Sequence, residues 1–410
     1  MGADLSPFST PDVARRAIAL ARRPLCARCV GRPFAKLGHG LSNAQRGEAV
    51  AAAAGLAPVE ERDCSWCRGV FLDLPAYVRV ATAAVDGIEL DTFLVGTRMP
   101  RLVEDAGEEV LALCGGETAE PITSELNREI GKRLEPLLGK KVDVLRPHVT
   151  ILVDTRFHVA YPQIAPLFVY GRYRKLVRDV PQARWPCRRC GGEGCHACGM
   201  TGKQYPTSVQ EIVQAPAIAM ARARDADFHG MGREDIDARM LGRGRPFVLE
   251  LKEPRVRTLD LASLAGAIHR EAGGRVEVES LRLSEREEVV RVKESRSRKV
   301  YRALVDFERP PDGEKLKNSI EALPALAVAQ RTPTRVEHRR AMLTRERRVL
   351  DARLEALSGA QAVVWIRGEA GLYVKELVSG DDGRTSPSLA ELVGIPCRVR
   401  ELDVLDVEAE

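Results

Sequence analysis

Eight of the ten cysteines in this 410-residue chain fall into four Cys-x-x-Cys pairs: Cys26–Cys29, Cys64–Cys67, Cys187–Cys190 and Cys195–Cys198. No other feature restricts the fold so tightly. Two thiolates spaced this way turn the backbone into a knuckle that grips one side of a tetrahedral ion, and a second knuckle closes the site. The N-terminal residues MGADLSPFSTPDVARR lack the charged-then-apolar layout of a secretion signal. Disulfides are therefore the poorer reading and zinc the better one. Four cysteines leave no open coordination position, so two structural zinc sites are expected. In the second set, CRRCGGEGCHACGMTG, glycines let the chain fold tightly round an ion. His196 lies inside it but is not needed as a ligand. Cys114 and Cys397 stand alone and are expected to be packing residues.

A chain of this length is expected to divide into two or three domains. Its composition, 44% hydrophobic and 30% charged, is that of a soluble globular protein. No run of about 18 apolar residues suggests a membrane span. A cytoplasmic monomer with no membrane partner is the expectation. The net charge of +5 says little by itself, but its distribution says more. Residues 331–349 hold seven arginines against Glu337 and Glu346. Residues 170–189 hold seven basic residues against Asp179, with Tyr170, Tyr173 and Trp185 between them. Basic clusters with interleaved aromatics suit a polyanion whose bases can stack. A single run of this kind is more often a solvated face. Two runs beside cysteine clusters favour nucleic acid.

A helix is expected from Thr10, with Pro11 at its first position. Another spans 123–138, where Leu126, Ile130 and Leu134 share a face and Ile122 can staple the start. Residues 148–154 alternate like a strand, and the prolines that follow argue for edges or turns. Residues 70–180 thus read as a mixed α/β module with an exposed basic end. Beyond the second knuckle, strands at 247–254, 275–283, 299–307 and 361–368 alternate with a helix at 258–274, and 308–318 reads as a loop. The domains expected are 1–180, a knuckle boundary at 181–204, and an α+β domain at 205–410. Glycine-rich phosphate loops are missing, so no organic cofactor is implied.

Residues 232–246, GREDIDARMLGRGRP, place three acids among four arginines and three glycines. Glycines at 230, 232, 242 and 244 read as a loop. Flanking arginines favour an ionised carboxylate. Such a group suits nucleophilic or electrostatic work on a sugar and suits general-acid work badly. A structural salt-bridge loop is the alternative. Metal binding by Asp235 and Asp237 is disfavoured by the arginines.

GREDIDARMLG resembles the catalytic loop of pseudouridine synthases. KVYRALV at 299–305 is similar to their lysine-x-tyrosine-x-alanine strand, and GLYVKELV at 371–378 to the glycine-x-tyrosine-x-arginine motif of the TruB type. With CARCVGRPFAKLGHGLSN, FHGMGREDIDARMLGRGRPF and QRTPTRVEHRR, the chain resembles, over nearly its whole length, the archaeal-type tRNA pseudouridine synthases of the Pus-ten family. The resemblance implies an N-terminal zinc-bearing domain related to THUMP modules. It also implies a C-terminal pseudouridine synthase domain with a mixed, largely antiparallel sheet. The implied substrate is tRNA, at uridines 54 and 55 of the TΨC arm. Asp235 takes the place of the catalytic aspartate, with Asp237 as runner-up. Tyr301 would stack on the target base, and Arg233 would hold the loop or nearby phosphates. Lys375 replaces the motif's arginine and would pair with Asp235, although lysine cannot make arginine's two-pronged contact. Arg384 could share that task. A non-catalytic zinc-containing tRNA-binding protein is the other reading.

Overall fold

The computed structural model describes residues 6–339 and 341–408, and these form two compact units that divide between Ala165 and Pro166. In the first unit, Thr10 caps the helix Pro11–Leu20 by accepting a hydrogen bond from the Val13 amide, and Pro11 opens it. The helices Ala27–Gly31 and Asn43–Ala54 cross closely. A Cβ on Gly47 would lie 1.7 Å from the Ala27 carbonyl oxygen, so only glycine allows this crossing. A four-stranded sheet follows: β1 (Thr92–Arg98), β2 (Lys141–Val142), β3 (Val149–Asp154) and β4 (Val159–Ile164). Its order is β2-β1-β3-β4, with β4 antiparallel at one edge. Pro162 sits on that edge strand, where a missing N–H is tolerated. The helix Ile122–Leu138 closes the core with Leu126, Ile130 and Leu134 fully buried, as their spacing predicts.

The described residues of the second unit form ten strands: β5 (Leu167–Lys175), β6 (Asp225–Gly230), β7 (Ala238–Lys252), β8 (Val276–Ser284), β9 (Arg298–Phe307), β10 (Ala327–Arg331), β11 (Thr344–Ser358), β12 (Gln361–Gly368), β13 (Thr385–Ser386) and β14 (Cys397–Glu408). Their order is β13-β10-β11-β12-β9-β14-β7-β5-β8, with β6 paired to β7. All pairs are antiparallel except β14–β7, which run parallel over Leu402–Val404 and Ala238–Met240. The fold is α+β with mixed sheets.

Three local expectations need correction. β5 pairs with both β7 and β8, so it belongs to the second unit, and the division falls at residues 165/166 rather than 180/181. The chain 308–318 is not all loop: Asp312 caps a helix, Gly313–Ala322, whose Leu316 and Ile320 are fully buried. The arginine-rich stretch is a loop only as far as Asp237. From Ala238 it is strand, because Ala238 and Met240 pair with β14 and bury their side chains.

Candidate active site

The loop between β6 and β7 is held from below by a buried ion cluster. Glu234 is buried and meets Arg245 at 2.9 Å, while the Tyr173 hydroxyl donates to it at 2.8 Å. Lys175, fully buried on β5, lies 3.9 Å from Glu234 and donates to the backbone carbonyls of Asp235 and Ile236 at 3.2 and 3.0 Å. Gln182 adds a bond to the Gly232 carbonyl at 2.9 Å. Burial pulls the Lys175 ammonium below its usual range despite the nearby carboxylates. One acid of the loop is thus structural. It fixes the backbone that carries the next one.

Asp235 projects from this platform into a cavity of about 590 Å³ with Arg233, Lys299, Tyr301, Arg335, Tyr373 and Lys375 in its lining. One carboxylate oxygen accepts from the Arg335 guanidinium at 2.7 Å, and the other lies 3.6 Å from the Lys375 ammonium. Asp237 is more exposed, at 52% against 26%, and both its oxygens accept from Lys375 at 2.7 Å. Lys375 outweighs the effect of burial and holds Asp237 below its usual range. Arg335 comes from the β10–β11 connection, and buried Glu376 clamps its other edge at 2.6 and 3.3 Å. Burial opposes the charge on Arg335, but Glu376 and Asp235 raise its pKa further.

The placements differ from the sequence-based expectations in particular ways. Arg335 is the principal partner of Asp235. Lys375 serves Asp237 first. Arg384 does not reach Asp235: it pairs with Glu337 at 2.9 Å and donates to the Thr332 carbonyl. Tyr301 does line the cavity, on β9 opposite Val404 of β14. Burial, against the opposing charge of Arg245, pushes its phenol up to about 12, so it is protonated at neutral pH. The 170–189 cluster is not one exposed basic face, since Tyr173 and Lys175 are core residues. Its exposed cations, Arg184, Arg188 and Arg189, lie at the far end, where Trp185 packs edge-on against Tyr205 and the Arg233 guanidinium lies over the Trp185 ring at 5.7 Å.

Residues 168–408 match the family model "Pus10, C-terminal", and residues 77–154 match "Pus10 THUMP domain, archaeal". This chain belongs to the Pus10 family. A relative from Methanothrix thermoacetophila, named "tRNA pseudouridine synthase Pus10", is 44% identical over 97% of this chain and 94% of its own length. Another of the same name from Methanothermobacter marburgensis is 45% identical over 93% of this chain and 95% of its own. This Pus10-family chain is a pseudouridine synthase, an isomerase. A solved Cbf5–Nop10–Gar1 complex also matches, at 16% identity and a TM-score of 0.31, covering 48% of this chain and 44% of that one.

Both four-cysteine sets suit a metal in this Pus10-family fold. Within each set the sulfurs lie within 4.8 Å of one another. Zinc–thiolate bonds of about 2.3 Å place tetrahedral ligands about 3.8 Å apart. Cys26 and Cys67 sulfurs are 3.7 Å apart, and Cys187–Cys195, Cys190–Cys198 and Cys195–Cys198 are 4.0, 4.0 and 3.7 Å apart. The first set is wholly buried, and the second more open. Gly202, at φ +67°, closes the second: a Cβ there would lie 2.1 Å from the Gly192 carbonyl oxygen. Cys114 and Cys397 belong to neither set and are buried, their thiols against the Val110 and Val378 carbonyls.

Proposed function

We propose that this chain converts uridine to pseudouridine in the TΨC arm of tRNA, at positions 54 and 55, using the carboxylate of Asp235 and no organic cofactor. The observation that carries the reading is one carboxylate, held by Arg335 and Lys375, in a cation-lined cavity of a Pus10-family chain. The isomerisation breaks N1–C1′ and, after the base turns, joins C5 to C1′. The C5 proton is lost and N1 gains one, so no electrons enter or leave. Asp235 either attacks C1′ or removes a sugar proton. The target must leave its stack to reach a recessed group, and Tyr301 is placed to receive the base. A pure tRNA binder has no need of a clamped carboxylate in a cavity. No described helix is long and apolar enough to cross a membrane.

A transcript labelled with tritium at uracil C5 tests the reading without any added cofactor. Two tritium equivalents should be released per tRNA molecule. A folded protein that binds the transcript and releases none would leave the binding reading in its place.

Each cysteine set is proposed to hold one structural zinc, supplying cross-links and no chemistry at the reaction. Two zinc equivalents per chain are expected by elemental analysis. Stripping both should cost several kcal/mol of stability, since ion-binding energy is folding energy in such sites. Calorimetry of zinc-loaded and chelator-treated protein checks it. Unchanged unfolding after complete metal removal would exclude a structural role.

A further inference from the structure

Lys299 is the lysine of the Lys-x-Tyr strand. It lies on β9 two residues from Tyr301 and lines the cavity. Its Cε lies 4.0 Å from where a side chain on Gly232 would begin, so it abuts the loop that carries Asp235. Three neighbouring cations are already matched. Arg245 has Glu234, Arg335 has Asp235 and Glu376, and Lys375 has Asp237. Among the described residues, Lys299 has no carboxylate partner; it donates to the Ser297 carbonyl at 3.0 Å. On the flanking strands it faces Gly368 and Val407, and the acids beside Val407 are occupied: Asp406 by Arg243 and Glu408 by Arg367. A recessed cation without a counter-charge is costly to hold. In a cavity built for a nucleotide, the counter-charge is one that the substrate brings.

We infer that Lys299 binds an anionic oxygen of the target nucleotide, either its backbone phosphate or a uracil oxygen that becomes charged when N1–C1′ breaks. The inference rests on the pseudouridine-synthase reading. In both routes open to Asp235 the bonding pair of N1–C1′ leaves with N1, and the resulting uracil anion spreads its charge onto O2 and O4. An ammonium is a stronger donor to those oxygens in the anion than in the neutral base, so it assists departure of the base. The pair returns to the sugar when C5 bonds to C1′. Lys299 neither gains nor loses a covalent bond.

The ammonium is also poised to be lost at mild alkalinity. Burial, and then Arg245, pull it down to about 8 in the free protein. The titratable and charged groups that share the cavity lining with it are Arg233, Glu234, Asp235, Arg245, Tyr301, Arg335, Tyr373 and Lys375. kcat/KM reports free-enzyme groups, and a required ammonium makes it fall as pH rises through about 8.

The test uses the full-length zinc-loaded chain, C5-tritiated transcript, and the variants Lys299→Met, Lys299→Arg and Asp235→Asn. Lys299→Met should lower kcat/KM at least ten-fold with an unchanged unfolding midpoint. If the partner is phosphate, the loss appears in the dissociation constant, the salt slope drops by about one charge, and a methylphosphonate at the target linkage removes the difference from wild type. If it is the departing uracil, the loss appears in kcat with binding unchanged. Lys299→Arg, always charged, should lose the alkaline limb. Less than a two-fold effect of Lys299→Met, or an alkaline limb unchanged in Lys299→Arg, overturns the inference. Should Lys299→Met not fold, the Lys299→Arg profile alone decides. A silent wild type, or an active Asp235→Asn, would instead sink the underlying reading.

Discussion

Asp235→Asn is expected to reduce pseudouridine formation by about 10³-fold or more while the tRNA dissociation constant changes less than about two-fold. The two side chains have the same shape. Asparagine's carbonyl oxygen can still accept from Arg335, as Asp235 does at 2.7 Å. The platform beneath, built from Glu234, Arg245, Tyr173 and Lys175, is untouched. What disappears is the negative charge and its capacity to attack C1′ or take a proton. Single-turnover tritium release and filter binding on one transcript separate the two effects. A variant within ten-fold of wild type would remove Asp235 from the chemistry. Asp237 would be next, although both its oxygens are engaged by Lys375.

Glu234→Ala should be the most damaging single change to the stability of the second unit, at about 3–5 kcal/mol. It strands the fully buried Lys175 and the nearly fully buried Arg245 without their carboxylate and removes the acceptor of the Tyr173 hydroxyl. A buried ion pair is poor evidence of net stabilisation, but removing one member leaves an uncompensated charge. Activity should fall with stability, since the same group fixes the loop carrying Asp235. Urea unfolding followed by far-ultraviolet circular dichroism measures the cost. A loss under about 1 kcal/mol would mean that Glu234 does not hold this platform together.

The same cluster separates what the residues disclose from what they conceal. The cysteine pairs were legible because ligand spacing is local, and the sulfurs do converge at tetrahedral separations. The helix from Pro11 and the one ending at Leu138 follow from capping and apolar spacing. Tyr173 and Lys175 are harder. Composition places them in a basic aromatic run, yet Leu167, Val169, Gly171, Tyr173 and Lys175 alternate with period two and occupy the buried face of β5. The strand pattern contained that signal; charge counting obscured it. Arg335 lies 100 residues from Asp235 along the chain, and no local rule links the two. It stands in the arginine run at 331–349, where composition cannot say which guanidinium turns inward. Only the fold pairs it with Glu376 and Asp235. Lys375 sits one residue from Glu376 and was singled out through its motif, but its nearer partner, Asp237, depended on where the loop turns into strand.

The most direct measurement is positional. An unmodified tRNA transcript is incubated with the purified zinc-loaded protein and no cofactor, and pseudouridine is mapped by carbodiimide labelling and primer extension. New stops are expected at positions 54 and 55 with wild-type protein and none with Asp235→Asn. Stops only outside the TΨC arm, or equal stops with Asp235→Asn, would contradict the proposed function.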